Sequence, residues 1–166
     1  IDAKHLSIAS RKEYYPFIEN HNKNNPNDII PIIASHSGYS GWDSLNASIV
    51  TPDTDDDKYD TSHSACNIIS INLCDDEQRT ILNSNGLIGM NMDQRILSGI
   101  DIINESKRFD FRLTPEMTDF WGNQLLNNIL KTADAVLYSN DIPDDKKKDI
   151  WNCIAIGSDF DGMINP

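Results

Sequence analysis

The stretch "CIAIGSDFDGM", Cys153 to Met163, decides how the chain is read. A mostly apolar run leads straight into Gly-Ser-Asp-Phe-Asp-Gly. A short apolar run that ends at a glycine turn reads as a strand buried on both faces, as in parallel sheets. Such a strand delivers the residues after it to the carboxyl edge of the sheet, and here they include a pair of carboxylates, Asp159 and Asp161. Active-site groups of parallel α/β folds collect at that edge. The remaining sequence has to supply their partners.

Working outward, the residues before His5 read as the end of a strand. Ser7 or Ser10 caps a helix reaching about Asn22, with Tyr14, Tyr15 and Ile18 on its apolar side. The Asn-rich "NHNKNNPND" ends it, and "IIPIIASH" is a buried strand that stops at His36. Residues 37–72 form a long polar insertion, a length that marks a functional or mobile loop. "CDDEQRTILNSNG" has helix signals: acids in the first turn and Gly86 after the end. "LIGMNM" is the next strand. Thr114-Pro115-Glu116 starts a helix running to about Tyr138, and "IPDDKKKDIW" gives a short polar helical turn before the final strand. Strand–helix alternation, four times over, predicts a parallel α/β sheet. Four such units are half of a (β/α)8 TIM barrel, which needs about 250 residues. The expectation is that residues 1–166 form the C-terminal half of such a barrel, a piece of a longer chain.

Bulk properties narrow the function. A net charge of -12 removes the electrostatic case for nucleic acid or anionic membrane as a partner. No apolar run approaches the ~20 residues of a membrane span, and the first residues, "IDAKH", do not have the pattern of a signal peptide. The cysteines, Cys66, Cys74 and Cys153, are odd in number and lack CxxC spacing, so buried thiols are expected rather than disulfides or a cysteine zinc site.

The chemistry gathers at the strand ends. His5, His36 and Asp159 each close a predicted strand, and the "LIGMNM" strand ends near Asn91 and Asp93. Two imidazoles and a carboxylate at equivalent ends form a donor set that suits zinc and similar ions. The other histidines, His21 and His63, fall in polar linkers.

"IDAKHLS", "PIIASHSG", "INLCDDEQRTILNSNGLIGMNM" and "IAIGSDFDG" occur in an order and spacing that resembles the membrane dipeptidase (renal dipeptidase, M19) family of amidohydrolase-like metallo-hydrolases. The resemblance implies that His5 and His36 ligate the second of two zinc ions. Other divalent metals remain open. It also implies that Asp159 contacts the metal-bound water and takes its proton. Asp161 itself reads as a turn residue, or as one that supports the site from behind by hydrogen-bonding backbone where Gly162 lets the chain reverse. The implied activity is hydrolysis of a dipeptide or similar small amide by a metal-activated water, completed by the remainder of the barrel. Open sheet edges would also suit pairing with another chain, a second copy included.

Departures from that family are specific. Its first-strand His-x-Asp and bridging Glu have no counterpart here. Its substrate-gripping arginine falls at Ile71, and Arg95 is the candidate replacement for contact with the substrate carboxylate. A catalytically lost relative, serving as a binding or structural protein, is the alternative reading. Ile71 and the acidic insertion favour it, whereas the joint presence of His5, His36 and Asp159 opposes it. Asp-x-Asp-Gly after a strand also resembles the haloacid-dehalogenase phosphatases, but the lysine and acids needed downstream are missing. "DTDDDKYD" lacks the glycine and bidentate Glu of a calcium loop. "NAS" at Asn46 and "NES" at Asn104 fit the glycosylation pattern only by composition.

Overall fold

The computed structural model describes residues 2–47, 66–109 and 114–158. Among them, three parallel strands form one small sheet: β1 (Ile33–Ser37), β2 (Leu87–Met90) and β3 (Ile154–Ile156), side by side in that order. The expected half-barrel of four strand–helix units is therefore corrected to a small mixed α/β domain. The missing unit is the first. Ala3–His5 is a 3₁₀ turn, and Asp2 contributes a single parallel bridge to Ile33. Sequence chemistry explains this, because the Asp2 carboxylate accepts the Lys4 amide at 3.0 Å and so curls the chain. Short polar side chains that bond nearby backbone compete with strand pairing in this way. The later strands lie where their short apolar runs put them, though shorter.

The helices follow their caps. Ser7 accepts the Ser10 amide at 3.1 Å and opens α1 (Ile8–Asn24), so Ser7 rather than Ser10 is the cap. Arg11, Tyr15 and Ile18 make its buried stripe, at the i, i+4, i+7 spacing of one helix face. α2 (Asp75–Asn83) begins as expected with three acids in its first turn. Its exit differs in detail: Asn85 takes the left-handed conformation, φ 55°. Gly86 is needed for another reason. A Cβ there would lie 2.0 Å from the Ile32 carbonyl oxygen.

Two helices went unanticipated, α3 (Gln94–Leu97), capped by Asp93, and α4 (Ile100–Ser106). Thr114 caps α5 (Pro115–Leu137) with Pro115 at its first turn, and α6 (Asp144–Lys147) and α7 (Ile150–Cys153) lead into β3.

The main core is built on the sheet: Ala34, Ile88 and Met90 are fully buried against Ile32, Ile81, Tyr15 and Ile18. Leu82, Ala133, Val136 and Ile150 form a second cluster between α2, α5 and α7. The described parts of the expected polar insertion also pack inward. Leu73 and Gly38 are bonded through their backbones across it (Leu73 N to Gly38 O, 3.0 Å), and Leu45, Cys66 and Ile68 are buried. Buried asparagines satisfy the loops leaving the strands. Asn72 accepts the Gly38 amide at 3.0 Å and donates to the Ile96 carbonyl at 2.8 Å. Asn128 accepts the Tyr39 amide and donates to the Leu97 carbonyl, both at 2.9 Å. The three cysteines are free and buried, as expected, and burial pushes the Cys66 thiol up to about 11.

A buried ion pair joins α1 to α2. Arg11 and Glu77 are 1% and 2% exposed, and Arg11 Nη1 donates to Glu77 Oε1 at 2.6 Å. The Tyr15 hydroxyl donates to the same oxygen at 2.8 Å, while the Cys74 amide donates to Oε2 at 3.0 Å. Arg11 Nη2 also donates to the Ser70 carbonyl. Burial, followed by the Glu77 charge, raises the Tyr15 hydroxyl far above its usual range. Removing one partner of such a pair leaves a buried charge unpaired, at a cost of about 3–5 kcal/mol. Glu77→Ala should lose that much stability in urea unfolding, and a loss below about 1 kcal/mol would contradict the burial of the pair.

Candidate metal centre

Between Ala34 and Ser37 the β1–β2 register shifts: Ala34 pairs with Ile88, but Ser37 pairs with Met90. One extra residue is thus accommodated at Ser35–His36. Bulges re-aim side chains at strand edges, and this one carries a sequence-predicted ligand. The Ser35 carbonyl lies against Gly89 of β2 and against Gly157, just past the end of β3. A Cβ on Gly89 would sit 2.0 Å from the Ser35 carbonyl oxygen, and one on Gly157 1.9 Å from it. Both positions demand glycine because the obstacle is backbone.

Asp2 fastens the 3₁₀ turn to this bulge. Its Oδ1 accepts the Lys4 amide at 3.0 Å and the Ser35 amide at 3.1 Å, and its Oδ2 accepts the Ser35 hydroxyl. The turn then brings His5 beside His36, with ring centroids 4.9 Å apart and planes tilted by 55°. Ligand-capable atoms of Asp2, His5 and His36 all lie within 4.8 Å of one another. His5 is exposed, while Asp2 and His36 are half-buried, so the cluster opens to solvent on one side. Burial raises the Asp2 pKa, but the Ser35 hydroxyl, the Ser35 and Lys4 amides and the nearby His36 outweigh it, and the net shift is downward. Two imidazoles suit a zinc-type ion as nitrogen donors, and the ionised carboxylate beside them favours a cation there.

The sequence-predicted residues fare differently. His5 and His36 are brought together. Asp159, with Asp161, the acidic stretch 53–60 and His63, lies outside the described residues. Arg95 is ion-paired: its Nε donates to Asp93 Oδ1 at 3.0 Å, and Asp93 is 3% exposed. That pairing places the half-exposed guanidinium at the turn that starts α3. Asn104 sits within α4, where its side chain accepts from Lys107 Nζ at 2.7 Å. At Ile71 the carbonyl accepts from Lys4 Nζ at 3.3 Å. The residues that sequence reading missed are Asp2 and Ser35. The signal for Asp2 was present in the Asp-x-x-His spacing of "IDAKHLS", whereas nothing in "PIIASHSG" shows that Ser35 would touch it.

Comparison with family models, with curated proteins and with solved structures returned no match. The site's geometry therefore stands on its own.

Overpacking at a backbone contact costs about 1–3 kcal/mol. Gly157→Ala should lose at least that stability and shift the His5 and His36 ring resonances. An unchanged NMR spectrum of both histidines would contradict the close approach of the Ser35 carbonyl.

Proposed function

We propose that His5 and His36 hold a divalent cation, zinc being the best match, and that the site serves hydrolysis of a dipeptide or similar small amide. The observation that carries this is the convergence of Asp2, His5 and His36 within 4.8 Å. Its second support is the likeness of "IDAKHLS", "PIIASHSG" and "IAIGSDFDG" to the membrane dipeptidase family. Bound at this position, the ion supplies Lewis acidity that polarises a scissile carbonyl and activates water near neutral pH. His5 and His36 contribute neutral nitrogen donors, and the exposed side of His5 leaves room for a substrate to approach. Asp159 is the proton acceptor in this reading. A second ion would require ligands beyond the described residues.

A binding or structural role without catalysis is the second reading. It is favoured by Ile71, where the family has an arginine, and by the engagement of Arg95 with Asp93.

The two separate experimentally. Metal content and dipeptide hydrolysis should be measured on the same samples of the intact protein. His5→Ala and His36→Ala should each abolish stoichiometric zinc. Asp159→Asn should keep most of the metal but lose about 10²–10⁴ in kcat, the usual contribution of a positioned general base. Zinc retained by both histidine variants would end the metal reading. Zinc bound by the wild type without hydrolysis would leave the binding role.

A further inference from the structure

A histidine ligates only through the ring nitrogen that carries no proton, and the partner of the other nitrogen decides which one that is. Ser35 Oγ is the partner of His36 Nδ1, at 2.7 Å. The same oxygen touches Asp2 Oδ2. A hydroxyl has one proton to give and an ionised carboxylate can only accept. The proton of Ser35 therefore goes to Asp2. Ser35 Oγ is left to meet Nδ1 as an acceptor, which requires Nδ1 to carry a hydrogen.

We propose that Asp2 and Ser35 are positioning residues that fix His36 as its Nδ1–H tautomer, so that Nε2 is the nitrogen offered to a divalent cation; this rests on the metal site proposed above. Asp2 belongs to the cluster by distance, but its task is orientation. Oδ1 is held by the Lys4 and Ser35 amides (3.0 and 3.1 Å), which leaves Oδ2 aimed at the Ser35 hydroxyl. The carboxylate thereby sets the turn bearing His5 and the tautomer of His36 at once.

The polarity of the relay makes an unusual prediction. In Asp2→Asn the amide oxygen can keep the two backbone bonds of Oδ1, while the NH₂ group replaces Oδ2 and donates to Ser35 Oγ. Ser35 must then turn its own proton toward Nδ1, and His36 flips to the Nε2–H tautomer. The lone pair moves to the wrong side of the ring. Ser35→Thr keeps a hydroxyl and should retain the wild-type tautomer, and Ser35→Ala should lose the preference.

Long-range ¹H–¹⁵N correlation spectra of the full chain, labelled at histidine and free of metal, read the tautomer directly above the ordinary imidazole range of about 6.5. His36 is assigned by the loss of its signals in His36→Gln. Nδ1–H in the wild type, inverted in Asp2→Asn and preserved in Ser35→Thr, is the expected result. Zinc titration of the same samples should show affinity reduced about 10–100-fold in Asp2→Asn, the usual effect of losing an outer partner of a ligand. Nε2–H in the wild type overturns the relay whether or not zinc binds. So does an unchanged tautomer in a folded Asp2→Asn. Should that variant fail to fold, the wild-type tautomer and the Ser35 pair still decide. Nδ1–H without any zinc binding sinks the metal reading and leaves the relay standing.

Discussion

The Ser35 carbonyl, laid across Gly89 and Gly157, is the contact on which the carboxyl end of the sheet depends. Backbone cannot move aside as a flexible side chain can, so both neighbours must lack a Cβ. With that space open, β1 takes up its extra residue, and His36 leaves the strand at an angle set by the bulge. The Ser35 amide and hydroxyl then face Asp2, which accepts both. A steric allowance on β2 and at the end of β3 thus determines where a titratable side chain on β1 stands.

A second constraint fixes the frame around that edge. Arg11 on α1 and Glu77 on α2 pair in a nearly solvent-free interior, and the pair collects Tyr15, the Cys74 amide and the Ser70 carbonyl. Taking two charges out of water costs several kcal/mol per ion, which their attraction recovers only when the remaining donors and acceptors are satisfied. Here Glu77 is well supplied, whereas Arg11 Nε is buried without a hydrogen bond among the described residues. The network is best understood as specifying register: any other seating of α1 on α2 would strand two charges. The connection from Ser70 to Cys74 is held by the same atoms, and α1 comes directly after the turn that carries His5.

Local signals in the sequence foretold local structure well. Ser7, Glu77 and Thr114 mark helix starts because each accepts an amide that few residue types can satisfy, and Pro115 fits the first turn because it has no amide to satisfy. The short apolar runs located three strands. What failed was the inference from element alternation to architecture. Reading a strand before His5 required an apolar run that "IDAKH" does not contain, and Asp2 instead bends the chain back to its own Lys4 amide. The short helices after Asp93 were hidden for a related reason: Asp93 is a legible cap for α3, and α4 begins at Gly99 with no side-chain cap, while so few residues show no periodicity. At the candidate site the two histidines were legible, although His5 ends a 3₁₀ turn and not the expected strand. The supporting pair, Asp2 and Ser35, was not, since the contact spans 33 positions and exists only because of the bulge.

The central claim is that His5 and His36 share one ion. Zinc X-ray absorption of the protein loaded with one equivalent of zinc tests it most directly, since imidazole gives characteristic multiple scattering. The account predicts two histidine nitrogens at about 2.0–2.1 Å, falling to one in either single histidine variant. A zinc shell of oxygen alone, or a histidine count unchanged when His5 and His36 are both replaced, would contradict it.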